Sequence, residues 1–395
     1  MSRTPKLSFA RRCVNFAHYR SKQAVSSLKY NIALTRKRPT ESMPIYLSPS
    51  LVSKDHPIWK TYQTHPVMQY VPYHRARLCH WFNELPRIFR RSCITEVEHL
   101  FALSRKTLMW QRPLEEKSRM VRAVSEKRCL AVVTLSKGLM DHGARYLPRE
   151  LWPKLDYLYP AYPTQPFLSQ PDRPFTILTI ASRFSDKGLP EVIDAFRILR
   201  QRHGSKVAMI LVSQAIPQNF KMPEGITHHD IPRMSTEFKE QIYRASDVLL
   251  LPCFSDTLGC FTEATAFGVP IVTTRIHHGD EFIKDGQTGF LLRAPLFFYS
   301  DEFGSRWNSW GEFLAILDTV RESGGLRVVV DEMVARIEEL LDDRSLLATM
   351  GKNAIELHRE LLSPEARNVR LLSIYTKALA SIDSSRRMHR SSVTQ

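Results

Sequence analysis

From residue 175 onward, short apolar runs alternate with stretches whose apolar residues recur at helical spacing. FTILTIAS (175–182) is apolar and β-branched without polar alternation, the pattern of a strand covered on both faces. LPEVIDAFRILRQRHG follows. Pro190 suits a first helical turn, Val192, Phe196 and Leu199 share one face, and Gly204 suits the stop. KVAMILVS (206–213) predicts the next strand, and STEFKEQIYRAS (235–246) a helix opened by Ser235. DVLLLPC (247–253), a helix around Glu263 to Phe267, PIVTT (270–274) and GFLL (289–292) continue the alternation. Buried strands separated by helices imply a parallel sheet with right-handed crossovers. From about residue 309 the pattern is helical, and SPEARNVRLLSIYTKAL opens a helix with Ser363 as cap and Pro364 in its first turn.

The first half has weaker periodicity. MPIYLSP (43–49) predicts a strand, and VMQYVPY (67–73) and CITEVEHLFAL (93–103) read as extended in part. AVVTLS predicts a strand before a short helix, and KLDYLYPAYP a strand before a Pro-rich linker. Pro and Gln cluster between two strand-like runs, which places a boundary near 165–174. The expected organisation is a basic segment (1–40), an atypical acceptor-side domain (41–170), a second domain (171–362), a helix (363–383) packing back on the first domain, and a frayed tail (384–395).

Charge sharpens this division. Residues 1–170 carry 29 Lys and Arg against 11 Asp and Glu, while the remainder is nearly balanced at 27 against 29. Such asymmetry suits an anionic partner for the first half, namely nucleic acid, an anionic membrane surface or a phosphorylated substrate; a basic leader accounts for it equally well. The six cysteines form no CxxC pair and no zinc spacing with histidine, as expected of free thiols in a reducing compartment. No apolar run reaches the ~18 residues of a spanning helix. The basic N-terminus has no apolar run after it, so no secretory signal is expected, while a mitochondrial-type leader stays compatible. The expected location is cytoplasmic, with peripheral contact at the inner membrane face.

In an open parallel sheet, ligands bind at the carboxyl ends of the strands. Arg183 and Lys187 follow the first strand of the second half and precede a helix, an arrangement suited to phosphate. The alternative is a solvated basic loop. After LLLPC come Asp256, Gly259 and Glu263. Gly259 lets a ligand approach backbone N–H groups at a helix start, and the two acids can accept from sugar hydroxyls. Locally, Asp256 also reads as a turn residue and Glu263 as a complement to the helix dipole. Gly279, Asp280 and Glu281 fall in a loop leading into a short helix, and KDGQTGF reads as a structural turn.

These segments resemble a known family. SRFSDKGLPEVIDAF, YRASDVLLLPCFSDTLGCFTEATAFGVPIVTT and DEFIKDGQTGFLL look like the donor domain of family 4 glycosyltransferases. The resemblance implies the α/β GT-B fold, two Rossmann-like domains facing across a cleft, with the first domain atypical or truncated here. It is strong over 175–293, weaker over 93–170 and absent over 1–60. It implies a retaining hexosyltransferase, of the kind that serves polysaccharide biosynthesis, acting from a nucleotide-sugar without a metal or other cofactor. Arg183 and Lys187 would hold the diphosphate and act in catalysis, and Glu263 would bind the ribose. Asp256 would join the donor site, and Thr257, Leu258, Gly259 and Cys260 would offer backbone N–H groups.

Two departures stand out. Ser182 replaces the usual glycine, and six residues rather than seven separate Asp256 from Glu263, so that either the loop is short or Ser255 takes the first acid's place. On the acceptor side, His99, Glu96 and Glu98 are candidates near the reacting centre, with His80 behind them; His99 is the catalytic choice. The expected acceptor is a glycan, a lipid or a polyprenyl phosphate. No specific nucleic acid is expected, because the Lys and Arg of 1–40 lack interleaved aromatics. The alternative reading is a non-catalytic nucleotide-sugar-binding protein with a degenerate acceptor domain.

Overall fold

The computed structural model describes residues 43–47, 68–70, 76–83, 85, 91–104, 113–168, 173–217, 220–230, 234–255, 257–276, 279–298 and 310–391. The basic segment 1–40 and Asp256 lie outside the described residues.

Two six-stranded sheets form, and every strand pair in both is parallel. The first sheet contains β1 (Met43–Leu47), β2 (Met68–Tyr70), β3 (Leu78–Phe82), β4 (Cys93–Val97), β5 (Cys129–Thr134) and β6 (Leu155–Tyr157), in the order β2-β1-β3-β4-β5-β6. Three of these strands precede residue 93, so the first half is a fuller Rossmann-like sheet than its sequence resemblance suggests. Helices α1 (Pro113–Ser125) and α2 (Lys137–Ala144) flank β5 in sequence.

The second sheet contains β7 (Phe175–Ile180), β8 (Val207–Val212), β9 (Ile226–His229), β10 (Val248–Leu250), β11 (Ile271–Thr274) and β12 (Gly289–Leu292), in the order β12-β11-β10-β7-β8-β9. Order reverses beside β7, which makes the carboxyl end of that strand a switch point where a crevice opens. Every residue of β7, β10, β11 and β12 is buried, which is why their sequences carry no polar alternation. The helices here are α3 (Leu189–His203), α4 (Thr236–Arg244), α5 (Gly259–Ala266) and α6 (Gly279–Phe282). Ser235 caps α4 by accepting from the Phe238 amide at 3.1 Å, worth ~1 kcal/mol.

Helices α7 (Trp310–Glu322), α8 (Arg327–Asp342), α9 (Arg344–Leu357) and α10 (Pro364–Ser391) complete the chain. Ser363 accepts from the Ala366 amide at 3.1 Å and opens α10. This helix runs to Ser391, through most of the stretch expected to fray. It packs Leu371, Ile374, Tyr375 and Leu379 against Ile45, Leu78, Ile94 and Val133 of the first sheet. Among the described residues no helix is long and apolar enough to cross a membrane.

A buried polar lock fastens α10 to that sheet. Both amino groups of the fork matter: Arg367 NH2 donates to both Glu96 oxygens at 2.7 Å, and NH1 donates to the carbonyls of Tyr159 at 2.6 Å and Leu158 at 3.3 Å. Beside it, His80 Nδ1 lies 2.7 Å from the Tyr375 hydroxyl. Glu96 and His80 are therefore corrected from catalytic candidates to parts of the core: both are buried and engaged with α10.

Candidate active site

The loop after β7 is shaped by Gly188. Its φ is +65°, in the left-handed region, and a Cβ there would stand 2.4 Å from the Pro252 carbonyl. This close approach locks the Arg183–Lys187 loop against the segment that follows β10, and the Phe254 amide seals it by donating to the Asp186 carbonyl at 2.8 Å.

Arg183 then lies at the carboxyl edge of the sheet. Its Nε donates to both Asp186 oxygens at 2.8 and 2.9 Å, NH2 reaches Ser255 Oγ at 3.1 Å, and its guanidinium stands 5.0 Å over the Trp310 ring. Ser255 Oγ donates to Asp186 Oδ2 at 2.6 Å. Ser255, eight positions before Glu263, thus meets Arg183 through a shared buried carboxylate. Lys187 is 6% exposed, and its Nζ lies 3.2 Å from Cys253 Sγ, a weak acceptor.

From α7, Arg321 braces the same loop. It donates to Ser185 Oγ at 2.8 Å, to the Ser185 carbonyl at 3.0 Å and to Glu191 Oε1 at 2.6 Å. Burial raises the Glu191 carboxyl above its usual range despite Arg321 beside it.

Leu258 is the N-cap residue of α5, and no side chain caps that end. Gly259 is exposed, and a Cβ built on it meets nothing within 4 Å. Thr257, Leu258 and Cys260 are half-buried around it. Burial, and then Glu263, push the Cys260 thiol up to about 12. On α5 itself, Glu263 is held by two residues of α4 that the sequence did not single out. Lys239 Nζ pairs with Oε1 at 2.5 Å, and the Tyr243 hydroxyl donates to Oε2 at 3.1 Å. Both lie four apart on one helical face, a spacing visible in sequence once a target carboxylate is known.

Glu281 is the functional candidate that the strand-end reading treated only as loop. It stands on α6, after β11, and reaches the other sheet. Oε1 accepts from the Gly138 amide at 2.6 Å, while Oε2 accepts from the Lys137 amide at 2.8 Å and the Tyr159 hydroxyl at 2.8 Å. These amides are the first N–H groups of α2, whose Leu139 amide is taken by Ser136 Oγ at 3.1 Å. A carboxylate from one sheet thus caps a helix of the other, where the dipole favours negative charge. Because α2 follows the carboxyl end of β5, the carboxyl edges of the two sheets meet at this point.

On the acceptor-side rim, His99 follows β4 and its ring packs edge-on against Phe101, with centroids 5.4 Å apart. Phe101 continues into Tyr146 at 4.6 Å, so His99 borders an aromatic cluster on the carboxyl side of the first sheet. Glu98 is exposed at the same strand end, and its amide donates to Asn83 Oδ1 at 2.9 Å.

Residues 174–296 match the family described as Glycosyl transferases group 1. This segment is similar to the group 1 glycosyltransferases. It contains Arg183, Lys187, Ser255, Glu263 and Glu281 together. Curated relatives include a D-inositol 3-phosphate glycosyltransferase of Corynebacterium glutamicum (strain R), 26% identical over 140 residues, covering 35% of this chain and 25% of the relative. One of the same description from Arthrobacter sp. (strain FB24) is 35% identical over 72 residues, covering 18% of this chain and 17% of its own. The aligned part thus spans a quarter or less of these two relatives. The whole fold has solved counterparts. Sucrose-phosphate synthase from Thermosynechococcus elongatus superposes with a TM-score of 0.54 at 16% identity, covering 81% of this chain and 83% of that one. Anabaena HepE in complex with UDP-glucose does so at 0.54 and 12%, covering 86% and 99%. The group 1 segment is thus the second half of a GT-B fold.

Proposed function

We propose that this protein is a retaining glycosyltransferase that moves a sugar from a nucleotide-sugar to an acceptor held by the basic first half. What supports this reading is that Arg183, after β7, meets Ser255, after β10, through Asp186, close to Lys187 and within the matched segment, whose edge faces the other sheet through Glu281. HepE was crystallised with UDP-glucose, which supports a nucleotide-sugar as donor.

In this reading Arg183 and Lys187 hold the diphosphate, and Glu263 receives the ribose hydroxyls. The exposed start of α5, around Gly259, presents backbone N–H groups to phosphate or sugar; Thr257, Leu258 and Cys260 shape that turn, and Asp256 adjoins it. The acceptor hydroxyl attacks the anomeric carbon on the face that the diphosphate leaves. The new C–O bond forms as the old one breaks, and the acceptor proton passes to the departing phosphate oxygen. Charge grows on the diphosphate in the transition state, where two fixed cations stabilise it without reorganising. No metal is assigned a role. His99 lies on the rim from which an acceptor would approach, and the surplus of cations in the first half suits an acceptor carrying phosphate at an anionic membrane face.

A second reading has one observation in its favour. Either the loop before Glu263 is one residue short or Ser255 takes the place of the family's first acid, and the Ser255 hydroxyl is spent on Asp186. A protein that binds the donor without transferring the sugar fits that change.

Calorimetry against UDP, GDP and their sugars, with Lys187→Ala and Glu263→Ala beside the wild type, tests both. Binding of one nucleotide-sugar that either substitution weakens at least tenfold supports the donor site. Binding without sugar release to any glycan or lipid-phosphate acceptor favours the second reading. No binding by the wild type overturns both.

A further inference from the structure

On the side of the second sheet away from the cleft, three arginines surround a cavity of about 120 Å³ at the amino ends of β7, β10 and β11. Arg173 precedes β7, Arg244 ends α4 and Arg344 begins α9. The carboxylate among them is Asp247. Its Oδ2 accepts from Arg173 NH1 and from the Thr176 amide, each at 2.7 Å, and its Oδ1 faces Arg173 NH2 and Arg344 NH1, each at 3.3 Å. One half-buried acid thus serves three donor groups and has little left for a third guanidinium. Among the described residues Arg244 has long contacts, to Gln165 Oε1 at 3.4 Å and to the Glu240 carboxylate at 3.5 Å, at the weak limit of hydrogen bonding. Aromatic faces hold two of the three forks in place: Arg244 lies 5.5 Å over Phe267, and Arg344 lies 4.9 Å over Phe175.

We infer that this cavity binds the phosphate monoester of a small molecule. The charge balance around the cavity is positive, which suits a dianion better than a carboxylate. Planar guanidinium forks match phosphate oxygens two at a time. Phe167, Phe267 and Leu347 give the rest of the wall an apolar surface for a short carbon skeleton. A side chain links the cavity to Glu263. Tyr243 lines it, stacks on Phe267 at 5.2 Å and donates to Glu263 on the other side. The inference stands on these residues alone and does not depend on the donor assignment.

Calorimetry of the full chain with phenyl phosphate as probe tests it. Saturable binding is expected in the wild type and in Lys187→Ala, whose change lies on the cleft side. Arg244→Gln and Arg344→Gln should each weaken it at least tenfold, with Arg244→Lys recovering part, and benzoate should bind at least tenfold more weakly than phenyl phosphate. Arg344 is exposed enough that its variant should unfold at the wild-type temperature, which separates lost binding from lost folding. Binding unchanged in both glutamine variants, binding lost in Lys187→Ala alone, or no saturable heat in the wild type would each overturn the assignment. UDP titrated into the same proteins reads the donor site separately, so failure of one assignment leaves the other's result intact.

Discussion

The Glu281 carboxylate of one sheet accepts the Gly138 amide of the other at 2.6 Å. With the Lys137 amide and the Tyr159 hydroxyl it forms three contacts between parts of the chain more than a hundred residues apart. Glu281→Ala removes them and uncovers the start of α2. Charged hydrogen bonds of this type are worth about 1.5–3 kcal/mol each when buried, and partial exposure reduces this. The expected outcome is a larger radius of gyration by small-angle X-ray scattering, with kcat reduced at least tenfold and nucleotide affinity changed less than threefold. An unchanged radius and unchanged kcat would show that the contact does not set the cleft.

Gly188→Ala should distort the Arg183–Lys187 loop. At φ +65° with a backbone oxygen 2.4 Å from the new Cβ, both the conformation and the space oppose a side chain. A cost of about 1–3 kcal/mol is expected from the strain. Denaturant unfolding should register that loss, and nucleotide binding should fall together with Arg183 and Lys187 moving off the edge.

Arg367→Met takes the bidentate Arg367 fork from the buried Glu96 carboxylate and leaves His80 Nε2, 3.6 Å away, as the cation nearest to it among the described residues. Breaking such a pair costs about 3–5 kcal/mol. Adding Glu96→Gln should recover part of this, so the double variant is expected to be more stable than Arg367→Met alone. Urea unfolding of the four proteins in the cycle gives the coupling directly.

His358 makes stability depend on acid. Its ring is buried, Nε2–H donates to the Tyr162 carbonyl at 2.8 Å, and Nδ1 faces Thr265 Oγ1 at 3.2 Å. Burial depresses its pKa from 6.5 to about 4, outweighing the opposing pull of the Tyr162 bond. Between these values the unfolded chain takes up a proton that the folded chain refuses. Stability from this group is therefore present above pH 6.5 and lost as pH falls towards 4, by roughly 3 kcal/mol in all. His358→Asn should flatten that part of the urea midpoint against pH.

The legible parts of the chain share a physical cause. Strands β7, β10 and β11 are buried on both faces, so their sequences carry no charge and no polar alternation, and whatever follows them stands at a carboxyl edge. That rule alone leads to Arg183, Lys187 and Glu263. The first half gives a weaker signal: β2 spans only three residues, and twenty residues separate it from β1. Glu96 and His80 illustrate the limit. A polar residue inside an apolar strand can be a reacting group or the socket of a distant ion pair, and the partner that decides it, Arg367, lies 271 residues away. Glu281 fails in the opposite direction. Its run DEFIKDG is visible, but its targets are backbone amides 143 and 144 residues upstream, and amides leave no mark in a sequence.

The chain passes between the two sheets twice, once after β6 and once before α10. Arg367 grips the carbonyls of Leu158 and Tyr159, and His358 grips that of Tyr162, while the Tyr162 amide donates to Leu362 at 3.2 Å. Both passages are therefore stapled to each other along a few residues. Two tethers so joined oppose sliding and twisting of one half against the other, so the separation of the two sheets is set by a few backbone carbonyls rather than by the length of either crossing.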